Sequence, residues 1–461
     1  MSDMPNTWVK TALGQVVPYG RSEKADPPGI PPEAWVLDLE DIERDSSRLL
    51  RRSTAKESQP RSTKNAFKVG DVLYGKLRPY LNKVVLADQP GYCTTEIVPL
   101  DAQGYLHQRY LFYWLKSPEF LDYVIAQSHG MNKPRLGTEA ANAAPLVVPP
   151  LPEQQRIADK LDKLLARIDA CRERLDGIPT LLARFRQCAL SSAVQGRLTS
   201  DWRASRSSDG PAQAAALTDE LKVAGWSFRR ADEVCAKVQS GGTPKEGFLS
   251  TGGVPFLKVY NLVGQRVDFD YRPQFIAPSV HAGSMRKSIT LPGDVLMNIV
   301  GPPLGKVALV PDVHASWNIN QAITLFRAGD NILREWLYYV LCEGSAVRTV
   351  MPDTRGSVGQ VNISLSQCRA FTLPVPPLDE QRELVSRLRK LLAVADRLDD
   401  RTSSAGRMVS HLDKAVLAKA FRGELVPQDP ADEPAQALLD RLMARKPPDP
   451  PARRPGRRAA A

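Results

Sequence analysis

The sequence contains few of the residues that extracellular, membrane-spanning or metal-binding proteins need. Its 461 residues include six cysteines and five histidines. No two cysteines form a Cys-x-x-Cys pair, which predicts buried free thiols in a reducing compartment. The histidines, at positions 107, 129, 281, 314 and 411, show no spacing typical of a metal site. The start has no apolar signal region, and no apolar run approaches the roughly 18 residues of a membrane helix, so we expect a cytoplasmic protein without membrane contact.

Motifs of phosphate-binding, methyl-transferring and nuclease enzymes are missing or incomplete. Residues 70–76 fit the first seven positions of a P-loop, but Leu77 replaces the hydroxyl residue that would hold magnesium. The second copy of this stretch, described below, has Asn298 and Ile299 in place of the glycine and lysine. No Asn/Asp-Pro-Pro-aromatic motif and no Gly-x-Gly-x-x-Gly motif is present, and neither Pro311-Asp312 nor Pro352-Asp353 is followed by an acid-x-Lys pair. We therefore expect no catalytic residue and no directly bound metal or cofactor.

The charge balance favours a polyanionic partner. The chain has 62 Lys and Arg residues against 51 Asp and Glu residues, for a formal net charge of +11. Such a balance promotes association with nucleic acid, although it does not specify it.

Two copies of one stretch organise the chain. Residues 149–198 and 376–425 align without a gap at an offset of 227, and both open with Pro-Pro-Leu-x-Glu-Gln. Their apolar residues alternate at spacings of four and three, which keeps a narrow seam on one side of a helix that a partner helix must cover. Gly177-Ile178-Pro179 and Ser403-Ser404-Ala405-Gly406 interrupt the helices, where we expect kinks rather than ends because the seam resumes in phase. Two matching helices within one chain can both bury their apolar seams by packing on each other.

The repeat extends beyond the helices. Residues 70–87 match residues 293–310 at an offset of 223, and each copy predicts two strands around a proline-containing loop, then a short strand and an aromatic helix. The predicted class is α+β, with two tandem mixed αβ domains, each followed by a long helix, and the helices forming an antiparallel coiled coil with pseudo-two-fold symmetry. The expected boundaries are 1–148 for the first domain, 149–200 for its helix, 201–222 for a linker, 223–375 for the second domain, 376–425 for its helix, and 426–461 for a basic proline-rich tail, largely disordered.

These features together resemble the specificity subunit of type I restriction-modification systems. The likeness rests on the duplicated Pro-Pro-Leu-x-Glu-Gln entry, on the helix ends at 193–198 and 420–425, on Ser240-Gly241-Gly242-Thr243-Pro244, and on the stretch 71–80. It covers nearly the whole chain. It implies that each αβ domain is a target-recognition domain that reads one half of a split DNA sequence, and that the helices set the distance between the halves.

The resemblance also implies partners. Two copies of a methyltransferase subunit would dock on the helical regions and bring S-adenosylmethionine. Whether a restriction and translocase subunit, with ATP and magnesium, joins them is left open. The residues assigned to the coiled coil and to docking are Glu153, Gln154, Ile157, Leu161, Leu164, Ile168, Glu380, Gln381, Leu384, Leu388 and Leu391.

Base-reading residues cannot be carried over from the family, so candidates come from side-chain chemistry. Lysine and arginine contact phosphates, arginine can pair with guanine, and asparagine or glutamine with adenine. The candidates are Lys76, Arg78, Tyr80, Lys83, Asn132, Lys133, Arg135, Asn298, Lys306, Asn320, Gln321, Arg355 and Gln360. The basic segment 44–68 has two equally weighted interpretations, a flexible solvated loop or a set of backbone contacts to DNA. The second domain's loops hold more amides and fewer cations than the first's, which indicates that the two halves read different sequences.

The function we expect is a non-catalytic, sequence-specific subunit that recognises double-stranded DNA in two separated blocks. The alternative is a coiled-coil scaffold with two protein-binding globules, which salt-dependent DNA binding would distinguish. A helix of about 43 residues is roughly 65 Å long, too long for the two halves to read adjacent bases. Deletion of residues 205–461 is expected to leave a half that pairs with itself.

Overall fold

The computed structural model describes residues 4–102, 104–130, 132–206, 223, 225–351 and 362–445. It divides into two compact units, Met1–Asp176 with Ser404–Ala461, and Gly177–Ser403. We call these unit 1 and unit 2. Their boundaries fall at the two predicted interruptions of the long helices, so each unit contains one half of each helix.

Unit 1 is a mixed αβ structure. Its strands are β1 Val9–Ala12, β2 Lys24–Ala25, β3 Trp35–Leu37, β4 Ser53–Thr54, β5 Lys64–Phe67, β6 Val72–Gly75, β7 Val84–Leu86, β8 Gly91–Thr94, β9 Ile97–Leu100 and β10 Pro145–Val148. Its shorter helices are α1 Leu13–Val16, α2 Ala55–Ser58, α3 Gln108–Leu115, α4 Pro118–Gln127 and α5 Thr138–Asn142, and the long helix α6, Leu151–Val194, starts here. The strands form a five-stranded sheet in the order β2-β5-β8-β3-β4, a three-stranded sheet β7-β6-β9 and the pair β1-β10.

Unit 2 repeats this plan with additions. Its strands are β11 Ser227–Arg230, β12 Cys235–Ser240, β13 Phe248–Leu249, β14 Val254–Leu257, β15 Leu262–Val263, β16 Arg266–Val267, β17 Phe275–Ile276, β18 Val295–Asn298, β19 Val307–Leu309, β20 Asn318–Ile319, β21 Ile323–Ala328 and β22 Thr372–Val375. Its helices are α7 Ser200–Ala204, α8 Ala231–Val234, α9 Pro278–Ala282, α10 Arg334–Glu343, α11 Ser345–Val350 and α12 Leu365–Arg369, and the second long helix, α13, runs over Leu378–Phe421. The sheet β12-β21-β18-β19 corresponds to β7-β6-β9 with one strand added.

The predicted repeat is confirmed at the level of elements. The hairpins β6-β7 and β18-β19, the strands β9 and β21, the aromatic helices α3 and α10, and the strands β10 and β22 before each Pro-Pro all form as the alignment predicts. Both long helices run unbroken for 44 residues through Pro179 and Gly406. Each stops two residues before a glycine with positive φ, Gly196 or Gly423, because glycine adopts the left-handed conformation that ends a helix.

Apolar packing joins the long helices to the sheets and to each other. In unit 1, Ile157 and Leu161 of α6 and Leu417 and Phe421 of α13 lie in one core with the aromatic helix α3. In unit 2, residues 189–193 of α6 and 384–388 of α13 lie in the corresponding core with α10. The helices are antiparallel in each unit, because residue numbers rise along α6 as they fall along the facing part of α13.

Some seam positions and thiols are not buried as predicted. Leu398 is 45% exposed and Leu412 is 44% exposed. Cys171 and Cys188 are also exposed, so the prediction of buried thiols is wrong for these two residues of α6, whereas Cys93, Cys235 and Cys368 are buried. The seam is therefore tightly packed near the sheets and more open towards the middle of the helices.

The C-terminal prediction needs a further correction. Residues 426–445 are not a disordered tail, because helix α14, Ala435–Arg445, buries Ala435, Leu439 and Leu442 in the core of unit 1. Its amphipathic pattern, with leucines three apart, was the signal in the sequence. The proline-rich residues 446–461 lie outside the described part of the chain.

The predicted linker also begins later than expected. Residues 201–204 belong to helix α7, and Arg203 forms a buried ion pair with Glu380. Residues 207–222 lie outside the described part of the chain.

Candidate nucleic-acid interface

The two basic loops predicted in the first domain lie side by side in unit 1. The loop between β6 and β7 meets the loop before α5 through two backbone hydrogen bonds. The Arg78 amide donates to the Pro134 carbonyl at 2.7 Å, and the Leu136 amide donates to the Lys76 carbonyl at 3.0 Å. Leu77 and Arg135 form the isolated β-bridge at this contact. The pairing holds both loops in fixed positions relative to the sheet, and we call it the unit 1 loop pair.

The tip of this loop pair presents aromatic and cationic side chains to solvent. Pro79–Leu81 form a single 3-10 turn between Arg78 and Asn82, both of which have left-handed backbone conformations, with φ of 51° and 48°. This turn leaves Arg78 exposed and Tyr80 48% exposed. Within the part of the chain that the structure describes, Lys76, Arg78 and Lys133 have no carboxylate within ion-pair distance. They are therefore available to an anionic ligand.

Two other candidates near this tip have internal partners. The Lys83 ammonium donates to the Leu39 carbonyl at 2.6 Å, and burial lowers its pKa. This bond ties the loop to the backbone of residue 39, and the contact of Lys83 with DNA stays a prediction. The Arg135 guanidinium binds both carboxylate oxygens of Glu96 at 3.0–3.2 Å, and this pairing raises the arginine's pKa. Arg135 remains exposed but is largely neutralised.

The basic segment 44–68 is not a flexible loop, because it folds into β4, α2 and β5. Several of its cations have protein partners. Arg48 pairs with Glu43, Arg51 pairs with the buried Asp41, and Lys64 is buried beside Asp38. The flexible-loop interpretation is therefore wrong, and the number of cations available for phosphates is smaller than the sequence indicates.

Unit 2 builds an equivalent loop pair with different chemistry. Val300, after β18, forms an isolated bridge with Asn362, and these positions match Leu77 and Arg135 in the repeat. The Ile363 amide donates to the Ile299 carbonyl at 2.9 Å, so the contact is again made by the backbone. Arg355 and Gln360, the remaining candidates here, lie outside the described part of the chain.

Asn298 and Lys306 behave differently from each other. Asn298 is fully buried, donates to the Pro303 carbonyl at 2.9 Å and accepts from the Lys306 amide at 2.6 Å. It closes the loop after β18, so its predicted role as a base-reading residue is corrected. The Lys306 side chain has no carboxylate partner among the described residues. Lys306 is therefore the cation of this loop that remains available.

Asn320 and Gln321 lie against the Ser240–Thr243 turn. A β-carbon on Gly241 would lie 2.1 Å from the Asn320 carbonyl oxygen, so only glycine permits this approach. The Thr243 hydroxyl donates to the amide oxygen of the exposed Gln321. Oδ1 of Asn320 is buried and has no hydrogen-bond partner. The turn thus packs against the backbone of Asn320 and holds the side chain of Gln321.

Sequence reasoning missed a second exposed group in unit 2. The Lys258 ammonium lies 5.6 Å from the centre of the Phe248 ring, and the Arg272 guanidinium lies 5.2 Å from the Tyr271 ring. Both rings are nearly half exposed. The alternation of aromatic and basic residues along 256–272 could have predicted this group. It was overlooked because the candidates were chosen from loops that match between the two domains.

The polar residues that open each long helix are internal. Glu153 accepts hydrogen bonds from the Trp8 indole at 2.9 Å and from Gln428 at 2.6 Å, while Gln154 binds the Pro149 carbonyl and the His107 amide. Burial raises the pKa of Glu153.

Glu380 and Gln381 take the same roles in unit 2. Glu380 accepts from Trp226 at 2.9 Å and from Thr199 at 2.7 Å, and it pairs with Arg203. Gln381 binds the Leu333 amide and the Asn331 and Pro376 carbonyls. All four helix-opening residues are buried in their own unit, so their assignment to a docking surface is corrected: they fix each helix to its sheet.

The described residues contain no cluster of three or more histidine, cysteine or acidic side chains that could hold a metal ion. Among the same residues, no helix is long and apolar enough to cross a membrane.

The chain is an internal duplication of one αβ unit. Each unit contains half of each long helix and one pair of loops joined by backbone hydrogen bonds, and the side chains of the two loop pairs differ. The family described as type I restriction modification DNA specificity domain matches residues 5–180 and 224–402. The chain therefore belongs to the family of type I restriction-modification specificity subunits.

Individual relatives agree with this assignment. The specificity subunit of the type I restriction enzyme EcoBI from Escherichia coli is 26% identical over 379 residues, which cover 79% of this chain and 77% of the relative. That of EcoDI, also from Escherichia coli, is 30% identical over 327 residues, covering 65% of this chain and 68% of the relative.

Solved structures share the fold. The HsdS subunit from Thermoanaerobacter tengcongensis has a TM-score of 0.60 at 21% identity, covering 92% of this chain and 98% of that subunit. A chain from a study of complex assembly and conformational transition in a type I restriction-modification system has a TM-score of 0.67 at 20% identity, covering 92% of this chain and all of the other.

Proposed function

We propose that this chain is the non-catalytic DNA-recognition subunit of a type I restriction-modification complex, and that it binds an asymmetric target in two separated blocks. The observation that carries this proposal is the pair of equivalent loop contacts, Leu77 with Arg135 and Val300 with Asn362. At one position of this contact a cation in unit 1, Arg135, corresponds to an amide in unit 2, Asn362.

The chemistry of unit 1 suits both phosphates and guanine. Lys76 and Lys133 are point charges that neutralise phosphates and release counterions, which makes binding salt-dependent. Arg78 stands on a rigid turn, and its planar guanidinium can donate two hydrogen bonds to the N7 and O6 atoms of guanine. Tyr80 supplies a flat apolar surface beside these cations.

The chemistry of unit 2 suits a different block. Asn320, Gln321 and Asn362 are amides, and an amide can bind the N6 and N7 atoms of adenine through two hydrogen bonds. Lys306 and the Lys258 and Arg272 cations would contact the DNA backbone. Because the two sets of side chains differ, a palindromic target is not expected.

The chain itself contributes recognition and assembly. A methyltransferase subunit, in two copies, would bring S-adenosylmethionine, and a restriction subunit would bring ATP and magnesium. This inference is supported by relatives that are specificity subunits of type I restriction enzymes. Purified alone, the chain should transfer no methyl group. Addition of its methyltransferase partner should restore transfer, and methylation by the isolated chain would contradict the proposal.

The target itself is tested by sequencing the methylome of cells that carry the methyltransferase with or without this chain. We expect one motif made of two different short blocks separated by several unread base pairs. Insertion of seven residues at facing points of both long helices should lengthen the unread gap while both blocks stay the same. A single continuous motif would refute the bipartite part of the proposal.

The loop assignment is tested by replacing Lys76 and Arg78 with alanine. Binding to the target should weaken, and the slope of log affinity against log salt should fall in magnitude by up to about 2, because two fewer phosphates are neutralised. If Arg78 reads a base, discrimination at that position should relax by about 1–3 kcal/mol.

The matched control is Lys10→Ala with Arg441→Ala, which removes the same charge from unit 1 at residues paired with Glu119 and Glu433. Equal losses in both double variants would assign the effect to net charge rather than to the loop pair. Salt-independent binding of the native chain would favour the scaffold alternative.

A further inference from the structure

An ion pair accompanies the unit 1 loop pair and leaves one edge of a guanidinium open. The Arg135 guanidinium donates from Nε and Nη2 to the Glu96 carboxylate, at 3.0–3.2 Å. A guanidinium has five N–H groups, so the edge formed by Nη1 and Nη2 can still donate two parallel hydrogen bonds. Among the described residues, no acceptor binds Nη1, and the Arg135 side chain is 52% exposed. The open edge is therefore available to a ligand.

The backbone fixes both members of this ion pair. The Lys76 amide donates to the Glu96 carbonyl at 2.9 Å, and the Leu136 amide donates to the Lys76 carbonyl at 3.0 Å. On its other side, Arg135 forms a second isolated bridge, with His129, through backbone hydrogen bonds of 3.0 and 3.3 Å. Because both backbones are held, the carboxylate of Glu96 sets the orientation of the Arg135 guanidinium.

Unit 2 forms the same backbone contact without an ion pair. The Ile299 amide donates to the Ala322 carbonyl, and the Ile299 carbonyl accepts from the loop before α12, both at 2.9 Å. The register of β18 with β21 and of β6 with β9 makes Ala322 equivalent to Glu96. The isolated bridges make Asn362 equivalent to Arg135. Since Ala322 has no carboxylate, a loop pair of this kind forms without the ion pair that unit 1 adds.

We propose that Glu96 is a positioning residue that directs Arg135 towards a guanine in the block read by unit 1. This inference rests on the proposed function. Arginine reads guanine through two parallel N–H groups that meet N7 and O6, and Glu96 leaves such an edge of Arg135 open. Because the carboxylate neutralises the guanidinium, the pair adds little to the salt-dependent attraction of phosphates, and it contributes to base discrimination instead. Asn362, at the equivalent position of unit 2, has the amide group that suits adenine.

A double variant transfers the unit 2 residues into unit 1. Glu96→Ala with Arg135→Asn leaves the net charge unchanged, and unit 2 already forms its loop pair with these two residue types. The methylome is sequenced in cells that carry the methyltransferase with the native chain or with the variant. One G·C position of the motif should become A·T, while the other positions and the length of the unread gap stay the same. The control, Glu433→Ala with Arg441→Asn, changes an exposed ion pair of the same residue types and should keep the native motif.

Glu96→Ala alone distinguishes positioning from a structural role. Arg135 then keeps its charge and loses its orientation, so discrimination among duplexes that differ at the guanine position should fall by about 5- to 100-fold. Binding of the chain and its methyltransferase to random-sequence duplex should tighten. The slope of log affinity against log salt should grow in magnitude by up to about 1, because one more cation is available to phosphates. A residue that only supported the fold would weaken both kinds of binding.

The matched control for this measurement is Glu433→Ala. It removes the same charge from unit 1, at the ion pair with Arg441, and should leave discrimination among the duplexes unchanged.

The outcomes separate the role of this ion pair from the proposed function. A native chain that directs no bipartite methylation motif contradicts the proposed function. A native motif that the double variant leaves unaltered overturns the role of Arg135 alone. If Glu96→Ala weakens specific and random binding equally, Glu96 does not position Arg135, and the proposal is overturned. The binding measurement also decides the question if the double variant directs no methylation.

Discussion

The buried glutamates that open the two long helices should respond differently to the same substitution. Glu153 and Glu380 occupy equivalent positions, and each accepts a hydrogen bond from a tryptophan indole. The remaining partners differ. Gln428, a neutral amide, completes the site of Glu153, whereas Arg203 and Thr199 complete the site of Glu380. Replacement of each glutamate by glutamine keeps the shape and removes the charge.

At Glu380, glutamine removes the partner of a mostly buried guanidinium and turns an amide N–H towards hydrogen-bond donors. Loss of one member of a buried ion pair costs about 3–5 kcal/mol. Arg203 keeps its bonds to the Gly196 carbonyl and to Thr199, which reduces the cost. We therefore expect Glu380→Gln to lower the free energy of unfolding by about 2–4 kcal/mol.

At Glu153, the Gln428 amide can rotate to present its oxygen to the new N–H, so every donor keeps an acceptor. We expect Glu153→Gln to cost about 1 kcal/mol or less. The cost should shrink as pH rises. Because burial raises the pKa of Glu153, this carboxyl stabilises the fold below its unfolded pKa, and that contribution is lost as pH rises through its folded pKa.

Urea unfolding at pH 7, read by tryptophan fluorescence, measures both variants, and hydrogen exchange at residues 153–161 and 380–388 shows which helix start is loosened. The reasoning is refuted if the two substitutions lower the free energy of unfolding equally, or if the Glu153 variant is less stable than the Glu380 variant.

Three further results are expected. Burial lowers the pKa of Lys116 from 10.5 to about 8, so the native chain should gain stability between those pH values relative to Lys116→Met, in a difference curve from thermal unfolding. Gly241→Ala should destabilise unit 2 by several kcal/mol, because its β-carbon would meet two backbone carbonyl oxygens, whereas Gly29→Ala, with nothing within 4 Å, should be neutral by the same melting assay. Deletion of residues 435–461 should cost about 3–6 kcal/mol by removing two buried leucines, while deletion of 446–461 alone should leave the melting temperature unchanged.

Internal repetition made the fold predictable. Two aligned copies of a strand, loop, strand and helix pattern constrain each other, so a weak signal in one copy is supported by the other. The 44-residue helices were the easiest elements, because a seam repeated over many turns has no competing interpretation. Helix α14 was missed because its short amphipathic pattern directly precedes a proline-rich stretch.

The candidate site was less predictable, because residue type does not reveal whether a side chain already has a partner. Lys76 and Lys83 are equally basic in the sequence, but only the structure shows that Lys83 is held by the Leu39 carbonyl, 44 residues away. Asn298 and Asn320 show the same kind of difference. The amide group of Asn298 forms hydrogen bonds within its own loop, whereas Oδ1 of Asn320 has no hydrogen-bond partner. The contact between the two loops of unit 1 depends on backbone hydrogen bonds, which the sequence does not encode locally.

The way the chain closes unit 1 has a consequence for its synthesis. The Ala435 amide donates to the Thr7 carbonyl, Gln428 binds Glu153, and Arg156 pairs with Asp432. Thr7 thus contacts residues that are synthesised more than 400 positions later. Unit 2, in contrast, consists of one continuous stretch. During translation, unit 2 has all its residues before the ribosome has produced α14. A chain that ends near residue 425 would therefore contain all of unit 2, while the core of unit 1 would lack Ala435, Leu439 and Leu442.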